Sequence, residues 1–219
     1  MKPNRTFIIL GITGGAGSGK TTVVEKIKTM TTTVFLHCDV IAHELMQPGG
    51  ASYAALLEEF GKEILEESME GSPISRPKLA AVAMATEQTR LRLNRATHPQ
   101  VRKAVEDELL RLTKERFDGV VLIEAALLIE AGYKEICDSL WYVHAPLSDR
   151  IRRMREKRSY SEEKIANILA GQLTEEEFLA QADVVIENPD IEKEDREHEL
   201  LQQIEFHLKE CMETRNKMW

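Results

Sequence analysis

The chain has 219 residues, 42% of them hydrophobic and 30% charged, and a formal net charge of −8. This is the composition of a globular protein, long enough to bury about 70% of its unfolded surface. Its acidity argues against a general nucleic-acid coat or a binder of anionic membranes. No apolar run approaches the ~18 residues of a spanning helix. The N-terminal apolar run leads into a glycine motif rather than a cleavage site, so a cytoplasmic location is expected. Cys38, Cys137 and Cys211 are odd in number and far apart, which predicts reduced thiols rather than a zinc site or a disulfide frame.

In chain order, Phe7–Ile12 reads as a fully buried strand and Lys20–Met30 as a helix. Val34–Cys38 is a second strand, followed by Asp39 and a short helical pattern, VIAHEL. Gln47–Gly50 is a turn, Ala51–Phe60 a helix, and the polar stretch Glu66–Ser75 a loop. Arg76–Thr97 is expected to be helical in two pieces, and Pro99–Phe117 forms a separate amphipathic helix through Val101, Val105, Leu109 and Leu112. Gly119–Glu124, Ser139–His144 and Asp183–Ile186 are the remaining strands. A basic segment holds Arg150, Arg152, Arg153, Arg155, Lys157 and Arg158, and Ser161–Gln172 opens with a capping signal. The tail Ile191–Met212 is expected to dock as a last helix. Strands alternating with helices predict an α/β fold with a five-stranded parallel sheet flanked by helices.

The strongest motif is Gly14-Gly15-Ala16-Gly17-Ser18-Gly19-Lys20-Thr21, which fits G-x-x-x-x-G-K-[ST] between a strand and a helix. Glycines let consecutive N–H groups turn inward, and with the helix N-terminus they form an anion cradle suited to the phosphates of ATP. Lys20 is placed to reach the β- and γ-phosphates, and the Thr21 hydroxyl to hold Mg²⁺. The guanine-reading N-K-x-D and the D-x-x-G switch of a GTPase are missing from the sequence, and the third strand ends Ile123-Glu124-Ala125 without the Asp-Glu of a motor ATPase. A kinase needs an acceptor site, a base and a mobile basic lid. The helical stretch after the second strand, Asp39 and the arginine segment can supply them. Asp39 stands where a carboxylate can take a proton from an attacking hydroxyl, or equally where it can cap the helix that follows. The arginines are either a solvated helix face or a group that closes on phosphate.

The order of motifs resembles the dephospho-CoA kinase family from Ile9 to about Asn188. GITGGAGSGKTTV, CDVIAHEL with QPGG, FGKEIL, SRPKLAAV, LNRATHPQVR, ALLIEAG, SEEKIANILAGQ and AQADVVIEN resemble that family's segments in sequence. The resemblance implies a P-loop fold with strand order 2-3-1-4-5, by analogy to nucleotide kinases. It implies ATP-dependent phosphorylation of the ribose 3′-hydroxyl of dephospho-CoA, giving CoA and ADP, with Mg²⁺ and with no nucleic-acid or membrane partner. Asp39 matches the family's catalytic aspartate, and His98 falls in its substrate-side His-Pro pair, although alone it reads as a residue at the start of a helix. Glu130 matches the acidic end of P-L-L-x-E. Arg153 is the arginine chosen to meet phosphate. The sequence departs from the family at His37, Ala126 and Arg150, the last standing where a Gln is usual. One domain is expected, with a core over about 5–46 and 118–219, a helical acceptor-binding insertion over about 47–117 and a lid over about 148–172. Another small-molecule or nucleotide kinase, or a nucleotide-binding protein without transfer activity, are the alternatives.

Overall fold

A computed structural model of the chain describes residues 5–217, apart from 70, 126–127, 130–131 and 191–192. Its contacts divide into two compact units, Met1–Phe35 with Arg116–Trp219, and Leu36–Glu115. The five-stranded parallel sheet has the order β2-β3-β1-β4-β5, the order the resemblance implied, and all of it except Leu36 and His37 of β2 belongs to the first unit. The strands are β1 Phe7–Thr13, β2 Thr33–His37, β3 Gly119–Glu124, β4 Ser139–His144 and β5 Val184–Glu187. β1 is central: it pairs with β3 from Phe7↔Gly119 to Ile12↔Glu124, and with β4 from Leu10↔Ser139 to Thr13↔Tyr142. All of β1 is buried, which is why it reads as a continuous apolar run rather than an alternating one.

Alternate residues of the sheet, Ile8, Leu10, Ile12, Val120, Leu122, Trp141 and Val143, share one core. Helix α1 (Lys20–Met30) adds Val23, Val24 and Ile27 to it. Helix α9 (Lys193–Lys217) adds Leu200, Ile204 and Leu208, so the charged tail docks through the apolar stripe read from its sequence. On the opposite side of β1, a Cβ on Gly11 would lie 2.9 Å from Cys137 Sγ. Three short helices follow β4: α6 (Leu147–Arg158), α7 (Glu162–Ala170) and α8 (Glu175–Gln181). The Ser161 hydroxyl caps α7 by accepting from Lys164 N, and Thr174 and Glu177 form a reciprocal capping box on α8.

The second unit holds α2 (Cys38–Leu45), α3 (Ala51–Phe60), α4 (Arg76–Ala83) and α5 (Glu87–Lys114) around Leu56, Phe60, Ile64, Leu79, Ala83 and Ala96. The expected break before Pro99 does not occur. Pro99 sits inside α5, where it has no N–H to give Arg95 and its ring crowds that carbonyl. The helix continues because both flanks are anchored: Ala96 and Thr97 before the proline and Val101 and Val105 after it are buried. Packing of the amphipathic stripe outweighs the one lost backbone bond.

Candidate active site

The glycine motif joins β1 to α1. Gly19 caps the helix in the left-handed region, at φ 98°, and a Cβ there would meet Asn188 Nδ2 at 2.1 Å. Only glycine combines that backbone angle with that approach. Inside the loop, Ser18 N donates to Gly15 O at 3.1 Å. Lys20 Nζ folds along the loop and donates to Gly14 O at 2.8 Å. Thr21, in the first turn of α1, is exposed.

The outer side of the loop is held by residues from α6 and from the segment after β5. Arg153 is 8% exposed. Its Nη1 donates to Gly17 O at 3.1 Å and to Ser18 O at 3.0 Å. Its Nη2 donates to Asn188 O at 2.7 Å and to Asp190 Oδ1 at 2.8 Å. Asn188 Nδ2 adds a second donor to Ser18 O at 2.7 Å. In a trans peptide the N–H points away from its carbonyl, so gripping Ser18 O from outside aims Gly19 N–H the other way. Arg153, expected to close on phosphate, therefore has its donors committed to loop carbonyls and to Asp190.

Asp190 is a hub. It also accepts from Arg196 at 2.6 Å and from Arg152, and its backbone N–H donates to Asp149 at 2.8 Å. Burial alone pushes its carboxyl up; the hydrogen bonds and charges of Arg153 and Arg152 outweigh that and bring it to about 2.

Arg150, one turn before Arg153, lies on the loop differently. Its Nε donates to Ala16 O at 3.0 Å and its Nη2 to Gln172 Oε1 at 2.9 Å. A Cβ on Gly15 would be 2.0 Å from that Nη2, so the missing side chain of Gly15 makes room for the guanidinium. Gln172 Oε1 also accepts from Ala16 N at 3.1 Å. Burial presses the Arg150 pKa below its usual value.

In the second unit, Asp39 lies in the first turn of α2, whose N-cap is His37. It is thus not the capping residue, the bland alternative for its position. It is exposed, and among the described residues of its own unit none hydrogen-bonds or pairs with its carboxylate. An acidic group in a helix's first turn is favoured by the dipole. His98 is half-buried inside α5 rather than at a helix start, and burial holds its pKa below the ordinary histidine value. Glu130 and Ala126 lie outside the described residues. Asn188, Asp190 and Gln172 were not singled out from the sequence. Asn188 and Gln172 end quoted motifs, so a signal for them existed; Asp190 had none. Among the described residues no group of three or more His, Cys, Asp or Glu is placed to hold a metal ion.

A glycine loop between a central parallel strand and a helix, with its amides directed by groups that grip its carbonyls, defines a P-loop nucleotide-binding protein. Within that class the chain belongs to the dephospho-CoA kinase family, whose model matches residues 8–194. It is 32% identical to the dephospho-CoA kinase of Carboxydothermus hydrogenoformans over 180 residues, 82% of this chain and 85% of that protein. It is 33% identical to the Bacillus anthracis dephospho-CoA kinase over 83% of this chain and 88% of the relative. Among solved structures, TT1252 from Thermus thermophilus superposes with a TM-score of 0.76 and 27% identity, covering 94% of this chain and 98% of that one. A shikimate kinase from Bacteroides thetaiotaomicron shares the fold, with a TM-score of 0.54 at 12% identity over 92% of this chain and 98% of its own. No helix among the described residues is long and apolar enough to cross a membrane.

Proposed function

We propose that this chain transfers the γ-phosphoryl group of ATP to the ribose 3′-hydroxyl of dephospho-CoA, giving CoA and ADP. Membership of the dephospho-CoA kinase family supports the reaction. The observation in the structure that carries the reading is the phosphate loop, with Gly19 in its left-handed angle and its carbonyls gripped from outside by Arg153 and Asn188. Amides so directed receive anionic oxygens without reorganising at the moment of reaction.

The roles divide as follows. The free-facing amides of the glycine loop, Gly19 N–H among them, cradle the phosphates, and Lys20 leaves the loop carbonyls of Gly14 and Gly15 to neutralise the β- and γ-oxygens. Asp39 orients the acceptor hydroxyl and takes its proton as the oxygen–phosphorus bond forms; its carboxylate is exposed. The bond from Pγ to the bridging oxygen breaks, and its electron pair leaves with ADP. Arg153 acts through the loop by keeping the cradle in shape. His98 belongs to the acceptor side, where burial lowers its pKa and so disfavours the protonated ring.

The donor set fits a magnesium ion held largely by phosphate oxygens and water. Such an ion takes few protein ligands, and the exposed Thr21 hydroxyl, in the first turn after the loop, is one. When bound it offsets phosphate charge. The thiols of Cys38 and Cys137 are buried and in no disulfide among the described residues, which suits the expected cytoplasmic setting.

The test is ADP release coupled to dephospho-CoA addition, with wild type and Asp39→Asn. Wild type should turn over, and the variant should lose about 10²-fold or more in kcat while binding ATP normally. Turnover with a different acceptor alone would reassign the substrate, and ATP binding with no transfer would remove the kinase reading.

A further inference from the structure

Two arginines one turn apart on α6 address the same loop, and their charges are treated differently. Arg153 is paired with Asp190 at 2.8 Å. Arg150 has no carboxylate partner among the described residues: its hydrogen bonds go to Ala16 O and Gln172 Oε1. It is nevertheless half-buried. The Glu175 carboxylate opposes its charge only from a distance, and burial outweighs that attraction. A cation removed from water without a paired counter-charge is costly, and the cost is met when an anion arrives.

The surroundings name the anion. The guanidinium lies against Gly15, inside the loop that cradles phosphate, and Gly15 leaves the space it occupies. Its Nη2 and Ala16 N–H both donate to one atom, Gln172 Oε1, at 2.9 and 3.1 Å. Two donors, one of them charged, thus converge on a single oxygen position at the mouth of the loop. A carbonyl oxygen is the weaker occupant of such a position, because a charge-assisted bond to an oxyanion is about twice as strong.

We propose that Arg150 is a further catalytic residue, contacting the terminal phosphoryl group of ATP and stabilising the charge on it during transfer. The inference rests on the phosphotransferase reading above. It deepens that reading at a position where the chain departs from the family's usual Gln, and it assigns to Arg150 the contact expected of Arg153. Gln172, which holds Arg150 at the loop, yields its place to a phosphate oxygen and turns to the guanidinium alone.

The experiment uses the full-length protein with Arg150→Gln and Arg150→Lys. Steady-state kinetics are read with dephospho-CoA, and equilibrium binding with Mg·ATP and Mg·ADP. Arg150→Gln should lower kcat by about 10²–10³-fold, with the acceptor KM unchanged. It should weaken ATP about 10-fold and ADP less than about 3-fold, because only ATP carries the group contacted. A kcat within about 3-fold of wild type, or equal weakening of ATP and ADP, overturns the proposal. Should the Gln variant be unstable, Arg150→Lys keeps the charge but loses the planar fork, and a kcat undiminished by at least about 10-fold overturns it instead. If wild type does not act on dephospho-CoA, the acceptor assignment fails, while the ATP-to-ADP affinity ratio still decides the role of Arg150.

Discussion

The Arg153 guanidinium and the Asp190 carboxylate lie 2.8 Å apart, and the arginine's other donors end on the carbonyls of Gly17, Ser18 and Asn188. Residues from α6 and from the segment after β5 thereby hold the outside of the phosphate loop. The same pair predicts a separable effect on nucleotide binding. Asp190→Asn keeps the shape and removes the charge, so Arg153 should wander and the loop amides lose their direction. The KM for ATP should rise about 10-fold while the acceptor KM stays put. In an Arg153→Lys background the same change should add little, the mark of one coupled pair. A uniform fall in kcat with no change in either KM would indicate only loss of folded protein.

Acid should expose the Asp190 network. Its carboxyl is held at about 2 in the folded protein, below the ordinary carboxylate value of 3.8. A depressed folded-state value means the stabilisation is complete above the unfolded-state pKa and is lost as pH falls through the folded one. Denaturation of wild type and Asp190→Asn, followed from about pH 6 down to about pH 2, should show the wild-type advantage shrinking below about pH 4. A gap that stays constant over that range would show that the charge contributes nothing.

Gly19→Ala should abolish nucleotide binding. The φ of 98° costs a non-glycine residue about 1–3 kcal/mol, and the new methyl would collide with Asn188 Nδ2 at 2.1 Å. Removing the collision with Asn188→Ala should not restore binding, since the backbone strain remains and a donor to Ser18 O is gone. Titration with Mg·ADP decides it.

Thr21→Val keeps the shape of the side chain and deletes its oxygen. The magnesium concentration for half-maximal activity should rise by about 10-fold or more, and chelation with EDTA should stop turnover in wild type. An unchanged magnesium requirement would remove Thr21 from the metal site.

Pro99→Ala should stabilise the protein by about 1–2 kcal/mol, because a proline inside a helix forfeits a backbone bond, while the looser unfolded chain returns part of the gain. Urea unfolding reads this directly. A loss of stability would mean that α5 is packed around the local bend the proline imposes.

The features legible in the sequence are local in the chain. Each strand is a short apolar run, and the expected bounds of three differ by one residue: Phe7–Ile12 against Phe7–Thr13, Val34–Cys38 against Thr33–His37, and Asp183–Ile186 against Val184–Glu187. The phosphate loop is likewise a run of neighbours. Helix α8 is marked in the sequence only by the capping box of Thr174 and Glu177, because seven residues are too few to show a hydrophobic period. The continuous α5 differs from the two helices expected because Pro99 is a local signal for a break, and only the burial of Val101 and Val105 in its unit overrules it.

By its order of residues alone, then, the chain determined the sheet, the glycine cradle with Lys20 and Thr21, and the ordered motifs that mark its family, since each is a property of adjacent residues. The tertiary structure decided which arginine does what. Arg150 and Arg153 are alike in sequence and share a helix. Asp190, 37 positions on, pairs with one of them, and Gln172, 22 positions on, holds the other with a neutral oxygen in place of a carboxylate. Charge compensation depends on distance in space, and chain spacing does not report that distance.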